Sequence, residues 1–152
     1  MSNFILQKLS DAPRIAAGGD LYRFLAESSQ VGGAFALWHS TIPPGGGPPP
    51  HLHRREQEAF FVLRGEVTFY VDGQKMVAGP NTFANIPKDV PHRFQNESQE
   101  EAEMLILVVP GGLDQMFRET GVLDASAPIP IGPEELQKLG EAAPRYGVEI
   151  LH

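Results

Sequence analysis

Three of the five histidines in the chain occur at positions where their imidazoles could bind one metal ion. His51 and His53 are two residues apart, so on a β-strand both side chains project from the same face. Glu58 follows them, and a turn through residues 54–56 could bring its carboxylate to the same place. His92 lies on a later segment that would have to fold back beside the first. Because the chain has no cysteine, a metal must be held by nitrogen and oxygen atoms.

Each of these residues also has an ordinary structural interpretation when it is taken alone. A His-x-His pair is common on solvent-facing strands, and Glu58 could form a surface ion pair with Arg54 or Arg55. The joint pattern favours a metal site over these alternatives. Of the other two histidines, we expect His39 to be a hydrogen-bonded strand residue and His152 to belong to a frayed terminus.

The elements that position these residues are predicted to be short strands. Glycine and proline are frequent, with 16 and 14 residues respectively, which indicates many turns and favours an all-β sandwich or barrel. Asp72-Gly73 lies between two apolar segments, and this dipeptide is typical of a two-residue hairpin turn. The segments that we expect to form strands are residues 20–27, 31–42, 51–63, 67–71, 74–77, 82–86, 92–96 and 103–109.

The segments outside these strands have distinct compositions. Residues 43–50 contain only glycine and proline, so we expect a loop. Such a loop is usually a plain connector, although it could border the mouth of a cavity in the barrel. Residues 113–119 and 133–144 predict two short helices, which we expect to pack on the outside of the barrel. Residues 146–151 predict a final edge strand.

Length and charge limit what the chain can be. At 152 residues we expect a single domain over residues 1–152, with a barrel core at about 20–110 and a helical extension at about 111–152. The formal net charge of -7 disfavours nucleic acid as a partner, because phosphate contacts need clustered lysine and arginine. The apolar residues 4–6 are too few for a secretory signal or a membrane span, so we expect a cytoplasmic protein without membrane contact.

Two segments of the chain resemble the paired sequence motifs of the cupin superfamily. The segments are Gly45-x5-His51-x-His53-x4-Glu58-x6-Gly65 and Pro87-x4-His92-x3-Asn96. In the second motif Asn81 and Asp89 replace the usual glycines, and both residue types tolerate the left-handed backbone conformation. The resemblance implies a single cupin domain, that is, a double-stranded β-helix or jelly-roll barrel with short C-terminal α-helices.

The resemblance also implies the composition of the site. One divalent transition metal, which could be Fe, Mn, Ni, Co, Cu or Zn, would be held by His51, His53, Glu58 and His92. Glu58 is in addition a candidate general base if it loosens from the metal.

The strand phase of these ligands suggests the walls of a substrate pocket. Phe60 and Val62 share the phase of Glu58, and Phe94 shares the phase of His92, so all three are tentative pocket residues. On the earlier strand, either residues 35 and 37 or residues 36 and 38 could face the pocket, and the sequence does not decide between these two pairs.

The residues around the first motif are similar to those of quercetinase-type cupins. Such enzymes bind a flavonol through its enolate oxygen and use dioxygen to cleave its heterocycle. The resemblance therefore implies a metal-dependent dioxygenase whose small-molecule substrate is aromatic or enolic. A metal-dependent isomerase or epimerase and a non-catalytic small-molecule-binding cupin are the alternatives. Cupins of this kind commonly pair, so we expect a homodimer.

Overall fold

The computed structural model describes residues 4–152, and strands are its main elements. The strands are β1 (Arg14–Ala17), β2 (Asp20–Ala26), β3 (Ala36–Ile42), β4 (His51–His53), β5 (Gln57–Arg64), β6 (Val67–Val71), β7 (Gln74–Ala78), β8 (Thr82–Ile86), β9 (His92–Gln95), β10 (Ala102–Val109), β11 (Val122–Leu123) and β12 (Val148–Ile150). The α-helices of the described residues are α1 (Leu113–Thr120) and α2 (Pro133–Ala142).

The strands form two sheets. One sheet has seven strands in the order β11-β1-β2-β3-β10-β5-β8, and the other has five strands in the order β12-β4-β9-β6-β7. Neighbouring strands pair antiparallel in both sheets. The all-β jelly-roll expected from the sequence is therefore confirmed. Because β4 and β5 follow each other in the chain but belong to different sheets, residues from both sheets can meet in the interior.

The core lies between the two sheets. Along β5 and β10 buried residues alternate with more exposed ones, so one face of each strand points inward. Phe60 and Val62 on β5 and Met104 and Ile106 on β10 are all almost completely buried. These side chains supply the apolar burial that stabilises the barrel.

Several turns depend on residues in the left-handed region of backbone conformation. Asp72 and Gly73 join β6 to β7 with φ values of 48° and 82°, which confirms the predicted hairpin turn. Asn81 and Asp89 have φ values of 63° and 67°, so both residues that replace motif glycines adopt the conformation a glycine would. Strand β3 begins later than predicted, because Gly32 and Gly33 also have positive φ and form a turn.

The C-terminal segment closes the barrel. Strand β12 pairs with β4 at the edge of the five-stranded sheet, which confirms the predicted edge strand. The helices occur where the sequence predicts them, but their expected position outside the barrel is wrong in part: Leu113 and Met116 of α1 and Leu139 of α2 line an interior cavity. Their apolar side chains are buried there rather than on an outer face of a sheet. No helix in residues 4–152 has the length and apolar character needed to cross a membrane.

Candidate metal centre

Three strands from both sheets bring four potential ligands together. His51 and His53 lie on β4, Glu58 lies on β5 and His92 lies on β9. His51 and His92 are direct partners in the β4–β9 ladder, which places their rings side by side. One ligand atom from each of the four residues lies within 4.8 Å of the others, and all four residues are buried. A site of three histidines and one glutamate is therefore present in the structure, and it is called the metal centre below.

Glu58 lies at the centre of this group. Its Oε1 atom is 3.2 Å from Nε2 of His53 and 3.1 Å from Nε2 of His92. The ring centroid of His51 is 4.8 Å from that of His53 and 4.5 Å from that of His92. Two imidazoles thus contact one oxygen of Glu58, and the ring of His51 lies beside both of them.

The other nitrogen of each histidine faces an acceptor. Nδ1 of His51 is 2.8 Å from the carbonyl oxygen of Pro49, and Nδ1 of His92 is 2.9 Å from that of Val90. A carbonyl oxygen can only accept a hydrogen bond, so both Nδ1 atoms donate to these carbonyls and both Nε2 atoms are left to bind a metal. This tautomer is the one that a metal ligand needs, and the donor set therefore fits a transition metal.

His53 has a carboxylate in the equivalent position. Its Nδ1 atom is 2.9 Å from Oε1 of Glu56, and both side chains are only 4% exposed. Carboxylates in this position commonly orient metal-binding histidines and increase their basicity. Sequence reasoning missed Glu56, because its spacing from His53 does not reveal that a charged side chain is buried.

The electrostatics of the group are dominated by burial and by mutual charges. Burial, together with the neighbouring His53 and His92, lowers the pKa of His51 to about 3. Burial also acts to lower the pKa of His53, but the charges and contacts of Glu58 and Glu56 outweigh it and raise that pKa to about 10. Burial acts to raise the pKa of Glu58, yet the same contacts with His53 and His92 hold it below its usual range.

The pKa shifts of these three residues indicate the charge of the site. Glu58 is an anion, His51 is neutral, and His53 carries a proton that a metal ion would displace. A divalent ion held by one carboxylate and neutral imidazoles leaves a net charge of about +1. Such a centre favours an anionic oxygen of a ligand.

A cavity adjoins the metal centre. His51, His53 and Glu58 lie in its wall, so the metal centre faces this space. Its other strand residues are aromatic or aliphatic and include Tyr22, Trp38, Phe94 and Ile106. The helices contribute Leu113, Met116, Phe117 and Leu139. The cavity wall is thus mostly apolar.

The residues suggested by strand phase take different places around this cavity. Phe94 lines it, and Trp38 settles the phase of β3 that sequence reasoning left open. Phe60 and Val62 point inward but are not among the lining residues. Phe60 packs deeper in the core, with its ring centroid 5.2 Å from that of Phe69 and 5.8 Å from that of Phe94.

The remaining expectations concern the Gly-Pro loop and His39. Pro48 and Pro49 of the loop line the cavity. His39 lies away from the ligands, with its Nε2 atom 3.0 Å from Oε1 of Glu103. Sequence reasoning did not identify Tyr22 or the helix residues as part of the cavity, because no local motif marks a residue that contacts a site only through tertiary packing.

Comparison with known proteins agrees with this geometry. Residues 38–109, which contain all four ligands, match the family model described as the cupin domain. Residues 38–109 therefore form a cupin domain. The chain is 28% identical over 127 residues to a quercetin 2,3-dioxygenase of Bacillus subtilis, a match that covers 84% of the chain and 37% of that relative. It is 26% identical over 125 residues to the quercetin 2,3-dioxygenase of Aspergillus japonicus, covering 78% of the chain and 35% of the relative.

The chain therefore resembles the quercetinase type, although it spans only about a third of the length of these two relatives. Solved structures show the same fold. KdgF from Halomonas sp. superposes with a TM-score of 0.64 at 15% identity, covering 75% of this chain and 99% of that one. A sugar phosphate isomerase from Silicibacter pomeroyi superposes with a TM-score of 0.60 at 19% identity, covering 68% and 74% of the two chains.

Proposed function

We propose that this protein is a metal-dependent dioxygenase that acts on an aromatic or enolic small molecule. The observation that carries the proposal is that the metal centre faces a cavity with an apolar wall. Similarity to two quercetin 2,3-dioxygenases supports the same reaction class. The substrate is a small molecule, since the cavity is enclosed by the barrel and its helices.

The composition of the cavity favours a planar organic ligand over a sugar. A sugar carries many hydroxyl groups, and a site for it needs many hydrogen-bonding side chains. Beyond the metal centre, the cavity presents mainly aromatic and aliphatic side chains, including Trp38, Phe94, Ile106 and Leu113. These side chains bind an aromatic body through apolar burial and keep water away from the reacting atoms.

Each ligand residue has a defined part in this function. His51, His53, Glu58 and His92 would hold one divalent transition metal, whose identity the ligand types leave open among Fe, Mn, Ni, Co, Cu and Zn. Such an ion would supply a positive charge for an enolate oxygen, and a redox-active one among these metals would also supply reactivity with dioxygen. Glu58 is the ligand carboxylate in the cavity wall, so it would take the proton that the substrate hydroxyl loses once it loosens from the metal.

Oxygen uptake by the metal-replete protein tests the proposal. The protein is loaded with each candidate metal in turn and mixed with a panel of flavonols and related enolic compounds. We expect dioxygen consumption to match substrate loss with at least one metal. Glu58→Gln should abolish it, while Glu101→Gln, which alters a half-exposed surface carboxylate, should not. No oxygen uptake with any compound and any metal would contradict the proposal.

The same experiment separates the alternatives. A metal-dependent isomerase or epimerase would convert its substrate without oxygen, because a positive charge can also stabilise an enediolate. Turnover of an enolisable compound under anaerobic conditions would therefore replace the dioxygenase proposal with that one. Saturable binding without any conversion would instead indicate a small-molecule-binding cupin.

A further inference from the structure

Three aromatic rings form one wall of the cavity beside the metal centre. Tyr22 comes from β2, Trp38 from β3 and Phe117 from α1. The ring centroid of Tyr22 is 5.6 Å from that of Trp38 and 5.0 Å from that of Phe117, and the centroids of Trp38 and Phe117 are 5.7 Å apart. These three residues are called the aromatic wall below. Their packing holds the rings rigidly against the space that a ligand would fill.

Trp38 brings an unused hydrogen-bond donor to this wall. Its side chain is 1% exposed, and its Nε1–H has no hydrogen-bond partner among residues 4–152. A buried donor without an acceptor destabilises a folded protein, and such groups are rare in native proteins. Trp38 lines the cavity, so a ligand packed against its indole ring is the group that could accept a hydrogen bond from this buried N–H.

Tyr22 provides a second donor next to it. The residue is 2% exposed and lines the same cavity. Burial raises the pKa of the Tyr22 hydroxyl, and the negative charges of Asp20, Glu58 and Glu135 raise it further. The phenol therefore keeps its proton at neutral pH and can donate a hydrogen bond.

The register of the sheet gives the distance from the aromatic wall to the metal centre. Trp38 pairs with Ile106, which pairs with Phe60, and Glu58 lies two residues before Phe60 on the same inward face. Two strand separations and one two-residue step put the Cα atoms of Trp38 and Glu58 on the order of 12 Å apart. The metal centre and the aromatic wall line the same cavity at separate places, so one rigid compound that spans it would contact both.

We propose that the Nε1–H of Trp38 and the hydroxyl of Tyr22 donate hydrogen bonds to a second oxygen of the substrate. The inference rests on the proposed function, because it takes the cavity as the substrate site. The substrate class is then a planar, mostly apolar compound with two separated oxygen functions. One is enolisable and binds at the metal centre, and the other is an acceptor that binds at the aromatic wall.

Two flavonols distinguish this recognition from simple apolar binding. 3-Hydroxyflavone has oxygens only on its central ring, whereas quercetin has further hydroxyl oxygens on its outer rings. Binding of both compounds to metal-loaded protein is measured by calorimetry without dioxygen, so that no turnover occurs. We expect Tyr22→Phe and Trp38→Phe each to weaken quercetin binding about five- to tenfold. The affinity for 3-hydroxyflavone should change by less than about twofold, since that compound lacks the second acceptor.

The chain offers a second readout and a matched control. Trp38 is its single tryptophan, so quenching of tryptophan emission reports directly on ligand entry in the wild type and in Tyr22→Phe. Tyr22→Phe removes one oxygen atom and keeps the ring, so it preserves the packing of the wall. Tyr70→Phe removes a hydroxyl outside the cavity and should leave both affinities unchanged.

The outcomes separate the inference from the proposed reaction. Equal weakening of both flavonols by the two variants, or no weakening of quercetin, would overturn the inference. Wild-type protein that binds neither compound would overturn it as well. The wild type could bind quercetin more tightly than 3-hydroxyflavone, lose this preference in the Tyr22 and Trp38 variants, and yet take up no oxygen in air. That result would overturn the proposed dioxygenase reaction and leave the inference standing.

Discussion

The Nδ1 atom of His53 lies 2.9 Å from Oε1 of Glu56, and both side chains are buried beside the metal centre. The carboxylate of Glu56 thus lies against one side of the ring of His53, and the Nε2 atom on its other side is 3.2 Å from Oε1 of Glu58. His53 thus differs from His51 and His92, whose Nδ1 atoms face backbone carbonyl oxygens.

Glu56→Gln should therefore weaken metal binding without removing a ligand. We expect the metal dissociation constant to rise about 10- to 100-fold, the usual effect of altering a group that orients a ligand histidine. The constant is measured by competition with a chelator of known affinity. Glu149→Gln, a change to a half-exposed carboxylate that contacts Arg54, serves as the control. Equal metal affinity in Glu56→Gln and wild type would show that Glu56 has no such role.

Asp20 predicts a pH dependence of stability. Burial raises the pKa of Asp20 well above its usual value of 3.8, the charge of Glu135 adds to this, and the backbone amide of Gly47 opposes it. Above pH 3.8 the unfolded chain loses this proton while the folded chain keeps it, so the folded state binds more protons. The contribution of Asp20 to the free energy of unfolding therefore falls as pH rises, by at most about 1.4 kcal/mol per pH unit.

Urea unfolding of Asp20→Asn at several pH values measures this contribution. The variant should gain stability relative to wild type as pH increases from 4 towards the raised pKa of Asp20. Glu134→Gln, whose carboxylate is 87% exposed, should track wild type over the same range. Parallel curves for Asp20→Asn and wild type would mean that the Asp20 carboxyl ionises normally in the folded protein.

Gly47 permits the close approach of the Gly-Pro loop to β9. Its φ is +129°, and a Cβ atom there would lie 2.1 Å from the carbonyl oxygen of Phe94. Gly47→Ala should destabilise the fold by about 3 kcal/mol or more, at the upper end of single substitutions. It should also weaken metal binding, because the loop carries the Pro49 carbonyl that orients His51.

Thermal unfolding of Gly47→Ala against Gly140→Ala checks this prediction. Gly140 lies in α2, and a Cβ atom there would contact nothing within 4 Å. That change should stabilise the helix by about 1 kcal/mol. A Gly47→Ala protein as stable as wild type would show that the loop can move away from β9 without cost.

Much of the barrel could be predicted from local sequence because its determinants are local. The Asp72-Gly73 turn requires positive φ at both positions, and the two-residue spacing of His51 and His53 puts both rings on one face. The approach of Glu58 could not be obtained from spacing alone. It depends on β4 and β5 belonging to different sheets, which is a property of the whole topology.

The features that sequence reasoning missed all depend on tertiary packing. Nothing in the local pattern shows that Glu56 is buried, that Tyr22 reaches the cavity, or that α1 and α2 close it. The expected homodimer and cytoplasmic location stay predictions. Sedimentation equilibrium of the purified protein measures the first of these.

The metal content of ligand variants tests the central claim that His51, His53, Glu58 and His92 hold a single ion. The protein is loaded, dialysed and analysed for metal per chain by elemental mass spectrometry. Wild type and His152→Ala, a change to an exposed terminal histidine, should bind one ion per chain. His51→Ala and His92→Ala should each lose it, and full metal content in both variants would contradict the account.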